Sequence, residues 1–125
     1  MPGTSRAVPR GIGRTALLAL GLLAIGSPGK SAIAAQTTFT CTPVDVADFP
    51  KSRIHVRCSP ADGAIQWFAL SVADQQEASR VLSLAAAALV AKKHLTIWYD
   101  PADLSGAAIG CLTTDCRLIQ GIRMY

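Results

Sequence analysis

The chain has 125 residues, half of them hydrophobic, with twelve Lys+Arg against eight Asp+Glu and a formal net charge of +4. The excess charge is local: Arg6, Arg10, Arg14 and Lys30 all precede residue 36, and residues 36–125 hold eight bases and eight acids. A near-neutral remainder lacks the several net positive contacts that a phosphate backbone demands, which excludes a nucleic-acid partner, and ninety residues suffice for one small domain and no more.

The N-terminal stretch carries three arginines, then the apolar run Thr15–Gly26 and the small residues of SAIAA. A basic stretch, an apolar stretch and small residues before a cut describe a secretory signal peptide. The apolar run of about twelve residues is shorter than the roughly twenty that a membrane-spanning helix needs. Cleavage is expected after Ala35, so that residues 1–35 are the leader and 36–125 the mature domain, secreted or periplasmic, with no membrane segment of its own. No cysteine stands at the cut and no two arginines are adjacent, which sets aside a lipoprotein and a twin-Arg signal.

Export decides how the four cysteines read. They pass through an oxidising space, where disulfides persist. Cys41 and Cys58 are separated by sixteen residues, Cys111 and Cys116 by four. A four-cysteine zinc site uses closely spaced pairs in both halves, and a thioredoxin-like C-x-x-C is absent. Two disulfides are expected, with no free thiol and no metal.

In chain order, residues 36–48 are rich in Thr and Val and read as a first strand, and Phe49-Pro50-Lys51 as a turn. Residues 53–58, RIHVRC, alternate strictly: Ile54, Val56 and Cys58 on one face, Arg53, His55 and Arg57 on the other. A hairpin centred between Phe49 and Pro50 sets Cys41 directly opposite Cys58, close enough for a bond. Ser59–Gly63 reads as a turn by composition, and AIQWFALSV, residues 64–72, as a third strand. Asp74 with Glu77 resembles a capping box. Beyond it Ala78, Val81, Leu82, Ala85 and Leu89 recur at helical spacing, which predicts a helix over 75–92 closed by Lys92, Lys93 and His94. Ala86, Ala87 and Val90 lie off that stripe. HLTIWY, residues 94–99, reads as a fourth strand with Leu95, Ile97 and Tyr99 on one face and Thr96 and Trp98 on the other. Asp100–Gly106 is a loop whose acids suit a turn better than a metal, and CRLIQGIRMY returns as a strand.

Three strands, one helix and two or more strands is the order of an oligonucleotide/oligosaccharide-binding (OB) barrel. The expected fold is a small β-rich α+β domain: an OB-like barrel of five to six strands, with one helix between strands 3 and 4 and two disulfides.

The stretch ASRVLSLAAAALVAKKHLTIWYDP, Ala78–Pro101, followed by GAAIGCLTTDC, resembles the second half of the binding subunits of AB5 bacterial toxins, in pattern those of subtilase cytotoxin and typhoid toxin. The resemblance implies a secreted OB barrel, a Cys111–Cys116 disulfide, assembly into a homo-oligomeric ring with the helices inside, and a glycan ligand. No sugar-binding residue carries over.

Chemistry is sparse. His55 lies between two arginines in the alternating strand and His94 follows a helix, so each reads as a surface or capping residue. No context assembles a Ser-His-Asp triad, and no Gly-rich phosphate loop is present. No cofactor is expected, and a binding module rather than an enzyme. Its candidate contact residues are Arg53, His55 and Arg57, with Trp98 and Tyr99, because guanidinium and aromatic groups stack on ligands and anchor interfaces; the plainer reading places Trp67, Trp98 and Tyr99 in the core. Two further readings stand beside it: an envelope inhibitor or protein-interaction protein acting through a loop, and a small hydrolase.

Overall fold

The computed structural model describes residues 35–125; the predicted leader up to residue 34 lies outside the described residues. Six strands and one helix follow in order: β1 Thr37–Phe49, β2 Arg53–Asp62, β3 Ile65–Ser71, α1 Gln75–Ala91, β4 Leu95–Tyr99, a 3-10 turn Ser105–Ile109, β5 Cys116–Leu118 and β6 Gly121–Met124. They form one curled sheet in the order β5-β3-β2-β1-β4-β6. The long first strand serves both halves, pairing with β4 through Thr37–Cys41 and with β2 through Thr42–Phe49. The outermost strands of that order are neighbours in the chain. Ile119 N–H donates to Ala69 O on β3 and Gln120 N–H to Trp98 O on β4, both at 2.8 Å, so one C-terminal segment spans the two edges. With the helix between β3 and β4, this is the expected OB-like architecture.

A bulge at Val44 sets which residues of β1 face inward. The β1–β2 ladder loses register between Pro43 and Asp45, and one extra residue turns every later side chain to the opposite face. Before the bulge the inward residues are Phe39, Cys41 and Pro43; after it, Val46 packs on the core and Asp45 and Ala47 point outward. The hairpin therefore differs from the expected one. Its turn is Phe49–Ser52, closed by Ser52 N–H to Phe49 O at 2.9 Å, and Phe49 pairs with Arg53. Cys58 faces Pro43, and Cys41 faces Leu95 on β4. The Cys41–Cys58 disulfide still forms, because Cys41 shares a face with Pro43 one diagonal step away, with Cα atoms 5.4 Å apart. β2 also runs past the expected end, through Ser59–Asp62, and turns at Gly63, whose φ of +61° suits glycine.

Inside the sheet lies the main core. Val56, Phe68, Leu95 and Ile97 are fully buried there, with Cys41, Cys58 and Tyr99 among them. Phe68 meets Tyr99 edge-on at 5.2 Å and Phe39 at 6.0 Å, geometries that add to simple burial. The Tyr99 hydroxyl donates to Asp62 Oδ2 at the end of β2.

The helix lies across this core through Ala78, Val81, Ala85 and Ala88. Ala88 is fully buried, whereas Leu82 and Leu89 of the predicted stripe are half-buried. Alanines at the contact let backbone and sheet approach closely. Asp74 caps the N-terminus by accepting from the backbone N–H groups of Gln76 and Glu77, both at 3.0 Å. At the other end Lys92 turns left-handed at φ 54°. Its N–H bonds Leu89 O and the Lys93 N–H bonds Ala88 O, a Schellman closure built on a lysine where glycine is usual.

Candidate functional site

The outward residues of β2 form the middle of a three-rung patch. Arg53 pairs with Phe49 on β1 and Ser71 on β3; His55 with Ala47 and Ala69; Arg57 with Asp45 and Trp67. The two alanines flanking His55 leave room above the sheet for its ring and for a covering loop. On the far side β5 continues two rungs, Cys116 beside Trp67 and Leu118 beside Ala69.

Aromatic and cationic groups alternate across the patch. The Arg53 guanidinium lies 4.3 Å over the Phe49 ring, and Arg57 lies 5.6 Å over Trp67. Between them the His55 ring meets Phe49 edge-on at 5.8 Å and Trp67 at 5.2 Å.

The loop between β4 and β5 folds over one end of this patch. Arg53 Nη1 donates to Ile109 O at 2.8 Å and to Ser52 Oγ at 3.0 Å, and Ser52 Oγ donates to Ile109 O at 3.1 Å. Gly110 rests against the guanidinium with φ +86°, and a Cβ there would stand 2.6 Å from Arg53 Nη1. Arg117 ties down the other end of the loop, donating to the carbonyls of Pro101, Thr113 and Cys116 at 2.7–2.8 Å. Beneath the loop a second buried cluster forms from Ala69, Cys111 and Cys116, with Trp67, Ile109 and Leu118 packed on it. The Cys111–Cys116 disulfide lies within it, so all four cysteines are paired, as the sequence leads one to expect.

Arg53 Nε donates to His55 Nε2 at 3.1 Å. That bond requires Nε2 to carry a lone pair, so His55 is neutral with its proton on Nδ1. Burial, then the neighbouring Arg53, pushes the His55 pKa below its ordinary value; the charges of Asp115 and Asp45 oppose the shift. Nε2 also lies 3.5 Å from Cys116 Sγ.

The residues singled out in the sequence thus take different positions. Arg53, His55 and Arg57 share one face, but Arg53 and His55 are half-buried under the loop and only Arg57 is exposed. Trp98 is on β4, against Gly121. Tyr99 is in the core, 3% exposed. Trp67, set aside in the sequence as core, is half-buried beside Arg57 on the outer patch. Its cross-strand partner was not legible because β2 and β3 lose register between Arg57 and Asp62.

Next to Arg57 a shallow groove runs between Val44, Cys58, Ser59, Ala61 and Gln66. It offers a guanidinium, a hydroxyl and an amide beside the small apolar surfaces of Val44 and Ala61. Elsewhere, His94 Nδ1 shares a hydrogen bond with Thr42 Oγ1 at 3.1 Å. Asp100 and Asp103 each spend a carboxylate oxygen on a turn, accepting from the N–H groups of Ala102 at 2.8 Å and Ser105 at 2.9 Å; the Ser105 bonds hold the Asp103 pKa below its usual value.

Two disulfides fit an oxidising compartment, and among the described residues no helix is long and apolar enough to cross a membrane. No protein-family model matches the chain, and neither a curated protein nor a solved structure is significantly similar to it.

Proposed function

We propose that this is an exported, non-enzymatic binding module, secreted or periplasmic, that takes a glycan on the outer patch of β1–β3. The observation that carries the reading is the exposed Arg57 stacked over Trp67 at the edge of a polar groove. A half-buried indole supplies a flat apolar surface for a sugar ring, and the guanidinium, Ser59 and Gln66 supply directional hydrogen bonds. The strand 2–3 face of OB domains is where such ligands dock. Arg53 and His55 hold the patch together from below.

The resemblance to toxin binding subunits points the same way and extends it to a homo-oligomer. The helix leaves Ala87 and Ala91 exposed, and Val90 is 84% exposed. Small residues on that face let neighbouring helices approach closely in a ring, and a ring makes weak single sites multivalent.

A protein partner engaged through the C-terminal loop is the second reading, favoured by Leu112, which is 67% exposed at the tip of the disulfide loop. That tip is a closed turn, with the N–H groups of Asp115 and Cys116 both bonding Leu112 O. For a hydrolase reading of the domain itself, neither histidine is hydrogen-bonded to a carboxylate or a serine among the described residues.

A glycan array probed with residues 36–125 tests the proposal. Retained glycans are expected, with Arg57→Ala and Trp67→Ala each lowering affinity at least about tenfold. Trp98→Ala, on β4, is expected to leave affinity unchanged. No retained glycan, or loss only with Trp98→Ala, overturns it.

A further inference from the structure

Beneath the loop, His55, Cys111 and Cys116 bring a ring nitrogen and two sulfurs within 4.8 Å of one another. We propose that reduction of the Cys111–Cys116 disulfide converts this cluster into a zinc site, ligated by the two thiolates and His55 Nε2.

Three features of the site support this assignment. The first is distance. Zinc bonds sulfur at about 2.3 Å and imidazole nitrogen at about 2.0–2.1 Å, which sets tetrahedral N and S ligands about 3.5 Å apart. His55 Nε2 and Cys116 Sγ are already 3.5 Å apart. Reduction separates the two sulfurs from bonded to nonbonded distance, as two metal-bound thiolates require.

The second is protonation. A zinc-bound histidine needs an unprotonated nitrogen, and Nε2, which faces the sulfurs, carries no proton: its one lone pair accepts from Arg53 Nε, a bond that zinc would displace. The ring therefore enters the site without losing a proton or changing tautomer.

The third is charge. Asp115, next to Cys116, holds a buried carboxylate oxygen, Oδ1, with no hydrogen-bond partner. Buried carboxylate oxygens are ordinarily satisfied, and an orphan asks for a missing donor or cation. The two thiolates carry two negative charges, which one Zn2+ neutralises. A water completes the fourth position.

The reductant is a dithiol. One of its thiolates attacks a protein sulfur, the Cys111–Cys116 bond breaks and a mixed disulfide forms. Its second thiol then releases the protein sulfur. Two electrons pass to the protein, the dithiol leaves as its own disulfide, and two protons are shed when the thiols bind zinc. Leu112, Thr113 and Thr114 are exposed, and opening their turn gives the reagent its path to the buried sulfurs. In an oxidising space the pair stays closed and the site is latent. The inference is independent of the glycan reading, since it concerns the floor of the patch rather than its open edge.

The test uses the mature domain, oxidised or reduced with a trialkylphosphine that leaves no competing thiol. Zn2+ binding is measured against a chromophoric chelator, and Co2+ replaces zinc to report ligands by thiolate-to-cobalt charge transfer. Reduced wild type is expected to take up one Zn2+ per chain and to melt higher with zinc than without, and the oxidised protein none. His55→Gln should weaken zinc at least about tenfold and remove the thermal shift. Cys111→Ser/Cys116→Ser, which keeps Cys41 and Cys58, should abolish both uptake and the charge-transfer band. Failure of the reduced wild type to bind zinc overturns the proposal. So does binding that survives the double serine change, or a His55→Gln affinity equal to that of wild type.

Discussion

The two faces of β2 make the most instructive comparison in the molecule. Inward, Ile54, Val56 and Cys58 are buried to 4% exposure or less and join an apolar core held by Cys41–Cys58. Outward, Arg53, His55 and Arg57 meet aromatic rings, a loop and the second disulfide. One face is made by area removed from water, which is strong and indifferent to direction. The other adds, around the small buried cluster of Ala69, Cys111 and Cys116, directional contacts to a few carbonyls and rings, each worth little alone. The inner face should therefore set stability, and the outer face should set what is recognised.

Substitutions can be ranked on that division. Phe68→Ala, at the fully buried centre of the inner cluster, should cost about 3–5 kcal/mol in chemical denaturation. A cost below about 1 kcal/mol would mean that the sheet is not the stabilising unit. Removing the inner disulfide with Cys41→Ala/Cys58→Ala opens a sequence separation of 17 and should cost about 3 kcal/mol in the chain-entropy model. The outer pair closes a separation of 5 and should cost about 2 kcal/mol by the same reckoning. If the outer pair proves the costlier, the loop is part of the folding core and the contrast between faces fails.

Gly110→Ala probes the outer latch alone. The left-handed backbone and the approach of Arg53 should together cost about 1–2 kcal/mol, and the released loop should expose Ala69 and Cys116 to faster amide exchange. Protection of Phe68 and Ile97, on the inner face, should be unchanged beyond the global shift.

Tyr99 probes the inner face by pH. Burial, then its bond to Asp62, pushes its pKa up to about 12. The unfolded chain loses the same proton near its ordinary value of 10. Stability from this group is therefore complete below pH 10 and is lost as pH rises from 10 to about 12. Tyr99→Phe should flatten that part of the melting profile, and an unchanged alkaline slope would locate the loss elsewhere.

Local signals in the sequence carried the elements, and long-range ones did not. Asp74 was legible as a cap because its partners are two and three residues away. The strict alternation of RIHVRC assigned both faces of β2 without reference to any other strand. The cysteine pairing was legible too, but through a register that the molecule does not use: the bulge at Val44 and the turn at Phe49–Ser52 move Cys58 opposite Pro43. Nothing in PVDVADF announces a bulge, since Val44 and Val46 look alike until the partner strand is placed. The outer patch was half legible. Its basic row lies within one strand, but Trp67, Phe49 and the disulfide come from three other segments. The 3-10 turn at Ser105–Ile109 is fixed by Arg53 and Ser52, more than fifty residues away. No local pattern encodes such a contact.

The helix carries the smallest expected effect on the fold and the clearest test of assembly. Ala87 is exposed on the face away from the sheet, next to the exposed Val90. In a monomer, Ala87→Glu exchanges one solvated side chain for another, and stability should change by less than about 0.5 kcal/mol. In a ring with the helices inside, every subunit would bring the same negative charge to one closed interface. Burying unpaired charge costs several kcal/mol, enough to split the assembly while each domain stays folded. Light scattering of wild type and variant, read beside a denaturation curve for each, distinguishes the two. The proposed ring requires an oligomeric wild type and a folded, monomeric variant. A wild type that is monomeric at every accessible concentration removes the ring, and the proposed binding face on β1–β3 would then act as a single site, without multivalency to strengthen it.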